Sequence, residues 1–190
     1  MGLAKLWTLI ICSCLTQLAF GQDSIQKTRD SNGGLLLIPW KNGKVNGVQK
    51  VYYLDGKLRA EGIFVDGKAE GYSKQYSPNG LLVRVSYFRN NFRHGTDTSF
   101  FENGTIRSLF NFVDGKLDGM TKEFDKNGQL SREGLNEKGV PIGILKTYKS
   151  GKLFNEKHYT NGKGDWYKEY DDNGKTVKFI EYNEDGKRKK

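Results

Sequence analysis

Between residues 47 and 148 polar and apolar positions alternate with a period of two. The alternation runs in segments of about 6 to 10 residues rich in Tyr, Phe, Val, Thr and Ile. Val48, Lys50 and Tyr52 share one side of such a segment, as do Tyr72, Lys74 and Tyr76, then Met120, Lys122 and Phe124, then Ile144, Lys146 and Tyr148. The other side carries Ser73, Gln75 and Ser77, or Thr121, Glu123 and Asp125, and is the more polar of the two. No helical period is present. Pro39, Pro78 and Pro141 all fall at strand edges or turns on this reading. The pattern predicts strands along the whole segment, with an aromatic and aliphatic face opposed to a polar one.

Turns punctuate the strands at a fixed interval. Gly47, Gly71, Gly95, Gly119 and Gly143 lie on one series of period 24, and thirteen of the 24 glycines directly follow Asn or Asp. Asn-Gly and Asp-Gly supply positive φ where a tight hairpin needs it, so each period predicts one β-hairpin. Five residues after the first four series glycines comes an aromatic column, Tyr52, Tyr76, Phe100 and Phe124, continued by Tyr148 and Tyr170. A file of lysines runs beside it at Lys50, Lys74, Lys122, Lys146 and Lys168, broken by Thr98. The expected fold is all-β: tandem hairpins forming an elongated single-layer antiparallel meander of about eleven to thirteen strands. Each column aromatic is expected to stack on its counterpart one period away, a cross-strand contact of about 0.2–1 kcal/mol. After residue 143 the shortened spacings around Leu145, Phe154 and Asn155 blur the columns.

The two ends read differently. Lys5, an apolar run from Leu6 to Phe20 and the small-x-small site Ala19-Phe20-Gly21 predict a signal peptide over residues 1–21, cleaved after Gly21. Residues 22–32 read as a linker, 33–186 as the hairpin repeats and 187–190 as a basic tail. Cys12 and Cys14 both lie in the leader, so the mature chain is expected to have no disulfide, thiol catalysis or thiolate metal site. Export without disulfides points to a bacterial envelope, so the expected location is secreted or periplasmic. The formal net charge of +9 falls by one when Lys5 leaves with the leader. Such a charge suits an acidic protein, an anionic glycan or a lipid headgroup, whereas export argues against nucleic acid.

Gly71-Tyr72-Ser73-Lys74-Gln75-Tyr76-Ser77-Pro78-Asn79-Gly80-Leu81-Leu82 resembles the bacterial variant of the MORN repeat (membrane occupation and recognition nexus), and so does Gly119 to Leu130. The resemblance covers roughly residues 33–186. It implies elongated hairpin arrays used for protein contact and sometimes lipid contact. It also implies an antitoxin-like label, and carries over no catalytic residues.

The residues themselves offer little to an enzyme. His94 and His158 stand more than two periods apart, too far along such an array to share a metal, and each reads as a lone surface histidine. No metalloprotease, serine-hydrolase or phosphate-loop motif is present. Glu61, Asp66 and Glu70 could be posed as an acid–base pair for glycan cleavage, but a meander offers no deep cleft. The expectation is a non-enzymatic protein without cofactors, not transmembrane once the leader is removed, acting as a protein-interaction or envelope-binding scaffold. Its candidate interaction face is the five file lysines with the six column aromatics. Lysine stems covering the rings would make that face structural; ammonium groups left free would make it a strip for an acidic peptide or glycan. The alternative, resting on the resemblance, is an antitoxin-like or immunity-like neutraliser of a toxic partner protein. Leu35–Trp40 and Lys178–Tyr182 are the edge segments most open to pairing with another chain.

Overall fold

The computed structural model describes residues 23–189. The leader, its cleavage site, Gln22 and Lys190 lie outside the described residues. Contacts divide the chain into two compact units that meet in sequence between His94 and Gly95. The first holds β1 (Ser24–Arg29), β2 (Leu35–Lys41), β3 (Lys44–Val45), β4 (Gly47–Tyr52), β5 (Leu58–Val65), β6 (Lys68–Tyr76), β7 (Leu82–Arg89) and β8 (Phe92–Arg93). The second holds β9 (Gly95–Phe100), β10 (Ile106–Val113), β11 (Lys116–Leu117), β12 (Gly119–Phe124), β13 (Leu130–Glu137), β14 (Val140–Lys149), β15 (Lys152–Thr160), β16 (Lys163–Tyr170) and β17 (Thr176–Glu181).

Within each unit the strands pair antiparallel in chain order, as a meander of hairpins. Among the described residues there is no helix, and so none able to cross a membrane. Those residues form seventeen strands rather than eleven to thirteen. One reason is that β3 and β11 are short strands set off from β4 and β12 just before a series glycine. Another is β1, which occupies the stretch read as a linker and pairs with β2 from Ser24–Trp40 to Arg29–Leu35.

Two turn classes alternate. Asn42-Gly43, Asp66-Gly67, Asp114-Gly115 and Asn161-Gly162 have positive φ at both residues, the tight two-residue turn whose twist matches the strands. The other class is longer. In the turn after β4, Tyr53 N–H donates to Lys57 O at 2.8 Å and Gly56 N–H to Tyr53 O at 3.0 Å. Side chains brace this class: Asp125 Oδ1 accepts from the N–H groups of Asn127 and Gln129, both at 2.9 Å. After residue 143 the spacing shortens because Ser150-Gly151, with φ 50 and 76, closes a two-residue turn where earlier periods use the longer one.

The series glycines have a separate task. Between the pairs Phe64–Ala69 and Gly62–Ser73, β6 advances further along the chain than β5 does. Gly71, with φ 80, lies inside that excess. Gly143 is placed likewise between Leu135–Ile142 and Glu133–Lys146. These are bulges, and only glycine takes their left-handed backbone at low cost.

Burial falls on the face opposite the lysine file and the aromatic column. The buried residues Leu36, Val51, Ala60, Phe64, Phe88 and Phe112, with Gln49, Ser73, Ser86, Asp97 and Ser108, come from the side read as polar. Leu36, Val51 and Ala60 form a core cluster, with Ile38 packed on it. The reason is size. In a single layer a side chain is covered mainly by its neighbours on the same face, and short residues such as Ala60, Ser73 and Ser86 lie beneath longer ones. The opposite face of each unit, called here the lysine face, is half-buried, with Val48 and Tyr87 exposed in the first unit and Met120 and Ile144 in the second.

Candidate functional site

Pairing register places the lysines. In the first unit Glu61 lies opposite both Lys50 and Lys74. In the second unit Lys122 faces Glu133, Glu133 faces Lys146, Lys146 faces Glu156 and Glu156 faces Lys168. The lysine file is thus half of an alternating ladder, and the glutamates went unrecognised in the sequence. Their signal was present, because Glu61 and Glu133 stand a whole number of periods apart. Lys74 Nζ stands 3.9 Å from Glu61 Oε1 and 4.8 Å from the centre of the Tyr72 ring. Lys168 Nζ is 4.9 Å from the Trp166 ring and 5.6 Å from that of Phe179.

The column aromatics do not stack on one another. Residues one period apart sit two strands apart, roughly 10 Å, beyond the roughly 4.5–7 Å of a ring pair. The strand between them supplies a different partner. Tyr148 O–H donates to Glu133 Oε1 at 2.8 Å, Tyr170 O–H to Glu156 Oε2 at 2.6 Å, and Tyr76 O–H to Glu61 Oε1 at 3.4 Å. Phe124 has no such acid: at the offset that separates Tyr76 from Glu61 and Tyr148 from Glu133 stands Leu109, paired with Lys122. Tyr52 departs from the rule too, with Leu37 at that offset, and Phe100 pairs with Ile106 at the end of its strand.

The carboxylates keep these phenols neutral. Burial pushes Tyr148 up to about 12, helped by its bond to Glu133; the bond to Glu156, then burial, pushes Tyr170 up to about 12. Tyr76 is raised by burial first and then by the Glu61 charge. A raised tyrosine favours the fold fully below its ordinary value near 10, and that contribution is lost as pH climbs toward 12. Thermal melts between pH 9 and 12 should therefore show a stability loss over pH 10–12 that is shallower in the double variant Tyr148→Phe, Tyr170→Phe. Equal slopes would contradict the assignment.

Beside the ladder runs an apolar row. Met120 pairs with Leu135, and on the next strands Ile144 pairs with His158, which pairs with Trp166. His158 is not a lone histidine. Its Nδ1 lies 2.7 Å from Asp165 Oδ2, its ring stacks on Trp166 at 5.6 Å, and Thr160 O–H donates to the same carboxylate oxygen at 2.6 Å. The Thr160 hydroxyl and His158 hold Asp165 below the usual carboxylate range. The hairpin turn Asn161-Gly162 brings these residues together across β15 and β16.

The carboxylates posed as an acid–base pair are engaged elsewhere: Glu61 with Tyr76 and Lys74, Glu70 with Asn90 N–H at 2.9 Å, and Asp66 with Asn46 at 3.5 Å. No group of three or more metal-ligating side chains occurs among the described residues. A shallow depression of about 270 Å³ on the buried-side face of the second unit is lined by Phe110, Thr121, Arg132, Asn136 and Tyr159. Its polar groups bond one another, Asn136 to the Thr121 hydroxyl and that hydroxyl to Gly134 O. The lysine face is therefore the better candidate.

Both of the following stretches carry a bulge glycine, a column aromatic and the strand bearing Glu61 or Glu133. Residues 45–66 and 117–135 match the MORN repeat variant family. Their starting points, Val45 and Leu117, are separated by a whole number of periods, so both report the same phase of the MORN-type repeat. MORN repeats are binding repeats for proteins or membranes rather than an enzyme family. Comparison with curated proteins finds no match.

Proposed function

We propose that this protein is an exported, non-enzymatic scaffold that takes a protein partner on its lysine face. The observation that carries this reading is the pairing of an alternating Lys–Glu ladder with a row of exposed apolar residues on one surface. A polyanion needs cations without interleaved acids, whereas a protein surface of mixed charge and apolar side chains fits both rows. The MORN-type match supports binding as the role. Export rests on Lys5, the run Leu6–Phe20 and the Ala19-Phe20-Gly21 site.

Two measurements test it. Mass analysis of the protein recovered from the cell envelope should find a mature chain beginning at Gln22; a cytosolic chain keeping residues 1–21 would remove the export. Photocrosslinkers placed at Met120 and Ile144 should trap a partner, while the same group at Asn127 and Asn173, in exposed turns of the same unit, should not. Equal trapping at all four positions would remove the face.

A further inference from the structure

We infer that the lysine face of the second unit docks on the same face of a second copy of this chain. The two-fold axis runs parallel to the strands, midway between Lys146 on β14 and Glu156 on β15. This deepens the scaffold reading, on which it rests, by naming the occupant.

The argument begins with symmetry. A face-to-face pair related by a two-fold axis along the strands sets β14 against β15, β13 against β16 and β12 against β17 of the other copy. The ladder Lys122, Glu133, Lys146, Glu156, Lys168 alternates in sign without interruption. Turned end for end about its 146/156 midpoint, it becomes its own complement. Lys146 meets Glu156 of the second copy, and Glu133 meets Lys168. At the end of the ladder Lys122 meets Phe179, an exposed ring that already accepts the ammonium of Lys168 within its own chain.

The same operation serves the neighbouring row. Leu135 and Ile144, each 40% exposed, come over the flat plate formed by Trp166 and the stacked His158. Apolar side chains thus meet rings, and the rows stay separate because an axis along the strands preserves position along them. Pairing within the chain helps the face to be covered. Each lysine at the centre of the ladder already stands beside glutamates, and Glu133 and Glu156 accept hydrogen bonds from Tyr148 and Tyr170. No lone charge is then stripped of water when the second face arrives. A partner for this surface must alternate with the same spacing, and the surface itself does so.

A charge-exchange experiment on the full mature chain decides it. Sedimentation velocity over a concentration series should show a dimer for the wild type. Lys146→Glu alone and Glu156→Lys alone each set like charges together twice across the axis, and should each weaken dimerisation by about 100-fold or more. A one-to-one mixture of the two variants opposes a carboxylate at position 146 of one chain to an ammonium at position 156 of the other, and should recover the dimer. Mixing cannot repair strain within a chain, so recovery reports on contact between chains. Far-UV circular dichroism checks each fold; if either variant fails to fold, Leu135→Asp replaces it and should give a folded monomer.

A monomeric wild type, single variants that remain dimeric, or a mixture that stays monomeric would each overturn the inference. A monomeric wild type whose crosslinking to another protein is lost in Leu135→Asp would overturn it too, while leaving the scaffold standing.

Discussion

Replacing Asp30 by alanine should cost the first unit about 3–5 kcal/mol, the range for removing one partner of a buried ion pair. Asp30 follows β1, and its two carboxylate oxygens do different work. Oδ1 accepts from the N–H groups of Asn32 and Gly34, both at 2.9 Å, and so shapes the turn into β2. Oδ2 binds the Arg59 guanidinium on β5, far along the chain. The side chains are 7% and 17% exposed, so alanine leaves the guanidinium largely shielded from water without its counter-charge, and two turn N–H groups without an acceptor. Asp30→Asn keeps an acceptor for the turn while losing the charge, and should fall between. Urea denaturation of the three proteins measures the difference. A loss below about 1 kcal/mol for the alanine variant would mean that the pair behaves as an exposed one.

Gly34→Ala should be the most damaging methyl addition in the same corner. A Cβ at Gly34 would overlap the carbonyl oxygen of Tyr52, which is backbone and cannot rotate away. The residue is buried, and its N–H and O both bond Asp30. One backbone segment must move, at a cost of about 3 kcal/mol, the upper part of the overpacking range. Gly56 provides the comparison. It has φ 84 and nothing within 4 Å of an added Cβ, so alanine there meets only left-handed strain of about 1–2 kcal/mol. If denaturation midpoints show Gly56→Ala to be the worse of the two, close backbone approach is not what Gly34 provides.

Much of the local structure is legible in the sequence. The positive φ values at Asn42, Asp66, Asp114 and Asn161, each followed by glycine, are the turns those dipeptides predict. The recurrence of Gly47, Gly71, Gly119 and Gly143 marked a backbone requirement, although its nature as a bulge was not visible. The grouping of Lys74 with Tyr76 on one face also holds, since both reach Glu61.

Polarity and period each point away from the structure at one place. Ser73 falls on the more polar side of its strand, yet it is buried, as Ser86 is, because both are short. The column aromatics were paired by period, when one period spans two strands. Stacking was thereby expected where a glutamate intervenes.

The candidate site was harder to find because its members have uneven separations. The step from Lys50 to Glu61 is shorter than that from Glu61 to Lys74, and the step from Lys146 to Glu156 is shorter than either. Bulges and turn lengths set those offsets, and a count along the chain that ignores them puts the wrong residues opposite each other. His158 and Asp165 were missed for the same reason, being partners only across a two-residue turn whose register was blurred.

Sequence alone determined the strands, the turns and the hairpin repeat, because alternation and backbone chirality act over a few neighbouring residues. Tertiary structure decided which face is buried, which carboxylate answers each lysine and tyrosine, and that Asp30 reaches Arg59. Those outcomes depend on register and on shielding by side chains from other strands, which are properties of the assembled sheet.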